Sequence, residues 1–328
     1  MNLRDDKVNF IMLVGLPGCG KTTYARKLVE EYGLEHISSD QIRMEKGMSG
    51  DQHVGVFEEM LVRTKENLIA GKSLIYDATN LHRKYRKALL ENIKKCNAYK
   101  ICIFFTEPFD VCMERNKQRG QYAVVPEYRM YEMLKAFKVP MEYEGWDDII
   151  RIQTSPGIDL NQVLESAKGF DQDNEHHQYD LYNHLTETFR LTLNYCIDKG
   201  ISSEKMVLVA EAAVMHDIGK LFTKTFNNIK GEQTDQAHYY GHDNVGAYYY
   251  LSGHDEVKDV VIENFEVPFM LSCKLSEKDL RTVAALINWH MRPYFTLRGT
   301  KRNSEQKLLG EDLAMLLDIL HEADVKAH

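Results

Sequence analysis

"FIMLVGLPGCGKTTYARKL", residues 10–28, passes from an unbroken apolar run through a glycine-rich turn into a segment with apolar residues at helical spacing. That succession predicts a buried strand, a tight loop and a helix. Gly15, Gly20, Lys21 and Thr22 satisfy the spacing G-x-x-x-x-G-K-[ST] in that context. The glycines let backbone N–H groups curl around phosphate oxygens, and the helix N-terminus adds positive potential. Gly15, Gly18 and Gly20 therefore read as a cradle for the phosphates of ATP. Lys21 reaches the outer phosphates, Thr22 offers its hydroxyl to Mg2+, and Thr23 lies beside it.

Outward from this stretch, apolar runs alternate with amphipathic segments over the first half. The runs are "NFIMLV", "SLIYDAT", "YKICIFF" and "DDIIRIQT". Alternation of this kind predicts an α/β domain with a parallel sheet covered on both faces. From Tyr179 onward the period becomes helical, as in "LYNHLTETFRLTLNYCI" and "LRTVAALINWH", with no convincing strand. The expected organisation is an α/β domain over residues 1–168, a polar linker over 169–178 and an all-α domain over 179–328.

Composition narrows the class. Hydrophobic residues make up 44% and charged residues 27% of 328 residues, and no apolar run approaches a membrane span. The N-terminal "MNLRDDKVNF" lacks the basic patch and apolar core of a secretory signal, and six cysteines stand without a C-x-x-C pair. A cytoplasmic protein with reduced thiols and no membrane partner is expected. A net charge of -8 argues against sequence-blind wrapping of nucleic acid, though not against gripping one strand end. Two basic runs, "HRKYRK" (82–87) and "RPYFTLRGTKR" (292–302), read as solvated faces when taken alone.

Three further features of the first half favour transfer of the γ-phosphoryl group over its hydrolysis. In "ISSDQIR", Asp40 and Arg43 fall one helical turn apart if Ser38 or Ser39 caps a helix. The carboxylate suits proton acceptance and the guanidinium a nearby phosphate. "SLIYDATN" delivers Asp77 to the carboxyl end of a strand, the edge where such sheets bind ligands. "ERNKQRG" sets Arg115 and Arg119 at a helix end, placed to close over the donor.

Together "GLPGCGKTT", "DQIR", "DATN", "RNKQRG" and "VVPEYRMYEMLKAFKVPMEYEGWDDI" resemble the polynucleotide 5′-hydroxyl kinase family over residues 8–154. The resemblance implies Lys21 and Thr22 on ATP and Mg2+, Asp40 as general base and Arg43 on the acceptor phosphate. It further implies Arg119 as lid arginine and Asp77 near Arg43 at the acceptor. Related small kinases acting on sugars, nucleosides or antibiotics share the cradle and a lid arginine.

In the second half "MHDIGK" sets His216 beside Asp217, with His184 upstream and Asp324 downstream, each within an apolar, helix-like stretch. Imidazole with carboxylate suits manganese, nickel, cobalt, zinc or iron better than calcium. The set resembles the HD phosphohydrolase superfamily over residues 179–328, with these residues on its H…HD…D positions. "YYGHDNVGAYYY" and "INWHMRP" then offer His242 and His290 as added ligands, which implies one or two divalent ions. Lys220, four after His216, is expected to hold a substrate phosphate.

A kinase for 5′-hydroxyl ends joined to a phosphoesterase implies repair of broken RNA, possibly DNA, strand ends. One half would phosphorylate the 5′ end and the other open a 2′,3′-cyclic phosphate and remove the phosphate, leaving sealing to a separate ligase. Two other readings stay open: a nucleoside or nucleotide kinase joined to a nucleotide phosphohydrolase, and an ATP-regulated module with a silent metal domain.

Overall fold

The apolar run Asn9–Val14 forms strand β1, and none of Phe10, Ile11, Met12, Leu13 and Val14 retains exposed surface. Each such side chain contributes about 1.5–3 kcal/mol by leaving water, which ties the strand to the middle of a sheet. The computed structural model describes residues 3–48, 54–120, 123–173, 179–253, 260–261, 270–271, 275–296 and 307–327. It divides into two units, Met1–Ser155 and Pro156–His328.

In the first unit β1 is joined by β2 (Glu35–Ser38), β3 (Leu74–Asp77), β4 (Tyr99–Phe105) and β5 (Asp148–Ile152). The strands are parallel in the order β2-β3-β1-β4-β5. Connecting them are helices α1 (Lys21–Tyr32), α2 (Ser39–Glu45), α3 (Val56–Ile69), α4 (Arg83–Ile93), α5 (Phe109–Lys117) and α6 (Glu127–Lys135). The expected α/β fold is present, with one strand more than the apolar runs indicate. Strand β2 is only "EHIS", and its first two residues are half-buried and polar, so it carries no hydrophobic signal. Register aligns Leu13 and Ser38 each with Asp77. The carboxyl ends of β1, β2 and β3 therefore converge, and the groups that follow them meet at one edge.

The second unit contains α7 (Leu160–Glu165), α8 (Leu181–Asp198), α9 (Ser203–Met215), α10 (Lys220–Thr223), α11 (His242–Gly253), α12 (Glu277–Trp289), α13 (Arg292–Thr296) and α14 (Glu311–Lys326). It is a helical unit with two departures from the all-α expectation among the described residues. Strands β6 (Thr225–Asn227) and β7 (Gln233–His238) form an antiparallel hairpin, and Val260–Val261 pairs with Met270–Leu271 as a two-residue ladder, β8 with β9. "QTDQAH" lacks the apolar alternation that betrays a strand. Its pairing rests instead on a turn in which Asn228 Oδ1 accepts from the N–H groups of Lys230 and Glu232.

The boundary also differs from the expected one. Residues 156–173 are built into the second unit: Ile158 donates to Ser252 O, Leu181 to Phe170 O and Tyr182 to Ala167 O. Gln172, within the expected linker, is 1% exposed. The segment's polar composition reads as linker, but the Gln172 side chain accepts from Lys220 and donates to the Tyr179 carbonyl inside the second unit. Residues 174–178 of that linker, residues 297–302 of the second basic run and Cys273 lie outside the described residues.

Candidate functional site

The cradle forms where β1 meets α1. Gly18 and Gly20 have φ of 82° and 93°, and a Cβ on Gly18 would stand 2.3 Å from the Cys112 carbonyl oxygen, so only glycine fits there. The Lys21 ammonium, 8% exposed, donates to the Gly15 and Leu16 carbonyls at 2.9 and 2.7 Å. Thr22 Oγ1 donates to Asp77 Oδ2 at 2.8 Å, and His36 Nε2 lies 3.2 Å from the same oxygen. Burial raises the Asp77 carboxyl, but the His36 contact, the Lys21 charge and the Thr22 hydroxyl outweigh it and hold it below the usual carboxylate range. Thr22, in the first turn of α1, and Asp77, at the carboxyl end of β3, are a hydroxyl and a carboxylate that together make a hard-oxygen pair fitting Mg2+. Asp77, expected near Arg43 at the acceptor, also touches Thr22 at the cradle, because strand register pairs β3 with both β1 and β2 and so brings it to the cavity that Arg43 lines as well.

Asp40 occupies the second residue of α2, whose N-cap Ser38 accepts from Gln41 N–H. Arg43 donates to Asp40 Oδ1 at 2.7 Å and Arg119 to Oδ2 at 2.7 Å, so one carboxylate is gripped by two guanidiniums. Arg43 is 8% exposed, and its grip is set by the i,i+3 spacing of the helix. Arg115 takes a different position from Arg119: it donates to Ser155 Oγ at 2.9 Å and lies 3.4 Å from Glu107. Glu107, fully buried, accepts from the Thr154 N–H and hydroxyl and from the Ser155 N–H, and so fixes the loop after β5. A cavity of about 1190 Å3 opens over these groups, lined by Thr23 as well as Lys21, Asp40, Asp77, Arg115 and Arg119. Its volume exceeds the roughly 300–1,000 Å3 of single-ligand pockets, which gives room for a donor and an acceptor.

The first basic run is not wholly a solvated face. Arg86 is fully buried, donating from Nε and NH2 to Glu144 at 2.7 and 2.5 Å and from NH1 to the Asn80 and Leu81 carbonyls. It pins the loop that leaves Asp77, in which Asn80 has φ of 49°.

In the second unit four imidazoles and two carboxylates converge. His184 lies in the first turn of α8, His242 opens α11, and Asp324 is near the end of α14. His216 and His290 are the residues just past α9 and α12, a small departure from the expected mid-helix placement. The Nδ1 atoms of His216, His242 and His290 each bond the carbonyl three residues earlier, at Ala213, Tyr239 and Ile287, at 2.7–2.8 Å; that of His184 bonds Ala327 O at 3.2 Å. Each Nδ1 therefore carries a proton and the four Nε2 atoms point inward, the orientation found in metal-ligating histidines.

Asp217 divides the cluster. Its Oδ2 faces His184 and His216 Nε2, both at 3.4 Å, and its Oδ1 faces His242 and His290 Nε2 at 3.1 and 3.4 Å. Asp324 Oδ1 lies 3.3 and 3.4 Å from His184 and His216. Two candidate ligand sets result, His184 with His216 and Asp324, and Asp217 with His242 and His290. Asp217 Oδ1 is buried without a hydrogen-bond donor. Burial disfavours charge on His216, but Asp217 and Asp324 outweigh it and push its pKa up to about 10. Both carboxyls are held well below their usual range against burial, Asp217 chiefly by Lys220 and His216, Asp324 chiefly by His216 and His184. The pocket thus demands positive charge, and its nitrogen and oxygen donors fit a borderline divalent transition metal.

Lys220 is not open to a substrate phosphate. It is 5% exposed and donates to Asp217 Oδ2 and Gln172 Oε1, each at 2.7 Å. A buried carboxylate facing imidazoles requires this counter-charge. Sequence reasoning missed Gln172, Glu107, His36 and Tyr294, whose hydroxyl donates to Asp324 Oδ2 at 2.7 Å. Gly219, inside the quoted "MHDIGK", was the available signal for close helix approach. A Cβ there would stand 2.0 Å from the His242 carbonyl oxygen, so its absence lets α11 bring His242 to Asp217. Among the other described histidines, His238 stacks on Tyr240 and His321 meets Tyr294.

Comparison with known proteins gives two family matches. Residues 10–140 match the AAA domain family and residues 181–325 the HD domain family. The chain thus carries a P-loop domain followed by an HD domain. It is 27% identical over 47% of its length to the L-seryl-tRNA(Sec) kinase of Methanococcus maripaludis, covering 62% of that protein. It is 28% identical over 35% of its length to the uridylate kinase of Saccharomyces cerevisiae, covering 64% of that one. In both cases the match spans less than two thirds of the relative. A gluconokinase from Sinorhizobium meliloti aligns in structure at 19% identity and a TM-score of 0.34, over 45% of this chain and 83% of the other.

Proposed function

We propose that the chain is a bifunctional enzyme for strand ends: its P-loop unit phosphorylates 5′-hydroxyls from ATP, and its HD unit opens 2′,3′-cyclic phosphates and removes 3′-phosphates. The observation that supports the kinase half best is the carboxylate of Asp40, set on the same cavity as Lys21 and flanked by two arginines. Asp40 takes the proton of the acceptor hydroxyl as its oxygen bonds the γ-phosphorus and the bridging P–O bond to the β-phosphate breaks. Lys21 and Arg119 neutralise the charge that accumulates on the moving group and on the departing ADP. Arg43 serves an acceptor that carries its own phosphate, which a polynucleotide has and a free nucleoside lacks. In the HD unit, divalent cations held by the two ligand sets would supply an activated water and neutralise the leaving oxygen.

The names of the relatives favour a second reading. A uridylate kinase and a kinase of seryl-tRNA point to small or aminoacylated acceptors, with the HD unit then acting on nucleotides.

One substrate separates the readings: an RNA with a 5′-hydroxyl and a 2′,3′-cyclic phosphate, incubated with ATP and Mn2+, Ni2+, Co2+, Zn2+ or Fe2+. End-group analysis is expected to find a new 5′-phosphate and a free 3′-hydroxyl. Lys21→Ala should remove only the first product and Asp217→Asn only the second. Labelling of nucleosides or nucleotides but not of the RNA would establish the small-molecule reading, and an inert 3′ end under every ion would leave the HD unit a binding module.

A further inference from the structure

Helices α3 and α4 contribute to the cavity lining, α3 with Phe57 and Leu61 and α4 with Tyr85 and Leu89, and His82, the residue before α4, lies on it too. The basic run that opens α4 splits in two there. Arg86 turns into the core, while His82, Lys84 and Tyr85 remain exposed, Tyr85 by 63%. The His82 and Tyr85 rings meet edge to face with centroids 5.3 Å apart, an arrangement that holds each in place. Burial lowers the His82 imidazole pKa, and the charges of Arg86 and Lys138 lower it further, so His82 is a neutral ring with cations around it. An exposed pair of fixed rings beside lysines is the combination that binds single-stranded nucleic acid: each base has a π-face to stack and each phosphate a charge to pair.

His82 and Tyr85 line the same cavity as Asp40 and Arg43, so an acceptor strand that continues past its first nucleotide has these rings within the space it occupies. We infer that the His82–Tyr85 ring pair and Lys84 form a subsite for the second nucleotide of a single-stranded acceptor, its base stacked on Tyr85 and its backbone phosphate held by Lys84. The inference rests on the reading of the P-loop unit as a 5′-hydroxyl polynucleotide kinase. A base that is paired in a duplex cannot turn onto Tyr85, so the subsite selects unpaired ends.

The test uses the full chain with ATP and Mg2+ and three 5′-hydroxyl acceptors: a nucleoside 3′-monophosphate, a single-stranded oligomer, and the same oligomer with its 5′ end recessed in a duplex. The unaltered enzyme should prefer the single strand to the other two in kcat/KM. Tyr85→Ala should raise KM for the single strand roughly 5- to 100-fold, the span of one lost base stack, with kcat and the KM for ATP unchanged. Lys84→Glu should raise it further and flatten its salt dependence. Lys94→Glu, the same charge change beyond the far end of α4, is the control and should do nothing. A KM that stays within twofold of the original in both Tyr85→Ala and Lys84→Glu, or equal use of single-stranded and recessed ends, overturns the subsite while leaving the kinase reading intact. With a nucleoside and a sugar assayed in parallel, labelling of either of these and of none of the three acceptors overturns the kinase reading, and the subsite with it.

Discussion

Arg119 donates to Oδ2 of Asp40 across 2.7 Å, although 79 positions separate them in the chain. The group assigned as general base is thus held by the group assigned to the donor's charge, and loading the cavity must redistribute that arginine between carboxylate and phosphate. Asp40→Asn keeps the shape and loses the proton acceptor, so kcat should fall by about 10²- to 10⁴-fold with the KM for ATP little changed. Arg119→Ala should cost about 10³-fold or more in kcat. Steady-state kinetics on one acceptor reads both, and an Asp40→Asn enzyme of normal kcat would remove Asp40 from the chemistry.

Asp77 makes a separable prediction. Because it receives the Thr22 hydroxyl and His36 together, its loss should appear as a need for Mg2+. His36→Ala should raise the Mg2+ concentration for half-maximal kinase rate about tenfold, as removing the partner of a ligand does, and Asp77→Asn should raise it more. If the acceptor KM moved and the Mg2+ dependence did not, Asp77 would belong to the acceptor side.

The split carboxylate of Asp217 makes a prediction by counting. Elemental analysis of protein equilibrated with Mn2+ or Ni2+ should find two ions per chain, one after His242→Ala or His290→Ala, and loss at both positions after Asp217→Asn. Saturating metal should also raise the melting temperature of the HD unit, since a ligand at a hundred times its Kd adds about 2.7 kcal/mol. A count of one in the unaltered protein would show that only one set binds.

Gly219 tests the approach of α11. Its Cβ has no space against the His242 carbonyl, so Gly219→Ala must push α11 away or unfold the unit. A loss of about 1–3 kcal/mol is expected, the range for overpacking, with the His242 metal position lost first. Thermal unfolding and metal content measured on the same sample decide it.

The Arg86–Glu144 pair tests the loop behind Asp77. Arg86→Ala leaves a buried carboxylate without its cation and should cost about 3–5 kcal/mol, whereas Arg86→Met with Glu144→Leu should recover much of that. Trp146, whose indole N–H donates to Glu144 at 3.2 Å, reports the unfolding of this region by fluorescence in denaturant.

Much of this protein was open to sequence reading because the signals are local. A glycine-rich turn between an apolar run and a helix depends on neighbours along the chain, and so do the Ser38 cap and the i,i+3 pair Asp40 and Arg43. The same holds for the three histidines that bond the carbonyl three residues back. The alternation of strand and helix in the first unit and the helical period of the second followed from hydrophobic spacing alone.

What tertiary structure decided is every relation between residues distant in sequence. Strand register put Asp77 beside Thr22, 55 positions away in the chain. Packing of α11 through Gly219 brought His242 to Asp217, and the fold brought Gln172 to Lys220, the local counter-charge of that carboxylate. Burial drew Arg86 out of a run that reads as surface and Gln172 out of a run that reads as linker. Charge and polarity state only what a side chain costs to bury. Whether a partner across the fold repays that cost is settled when the chain closes on itself.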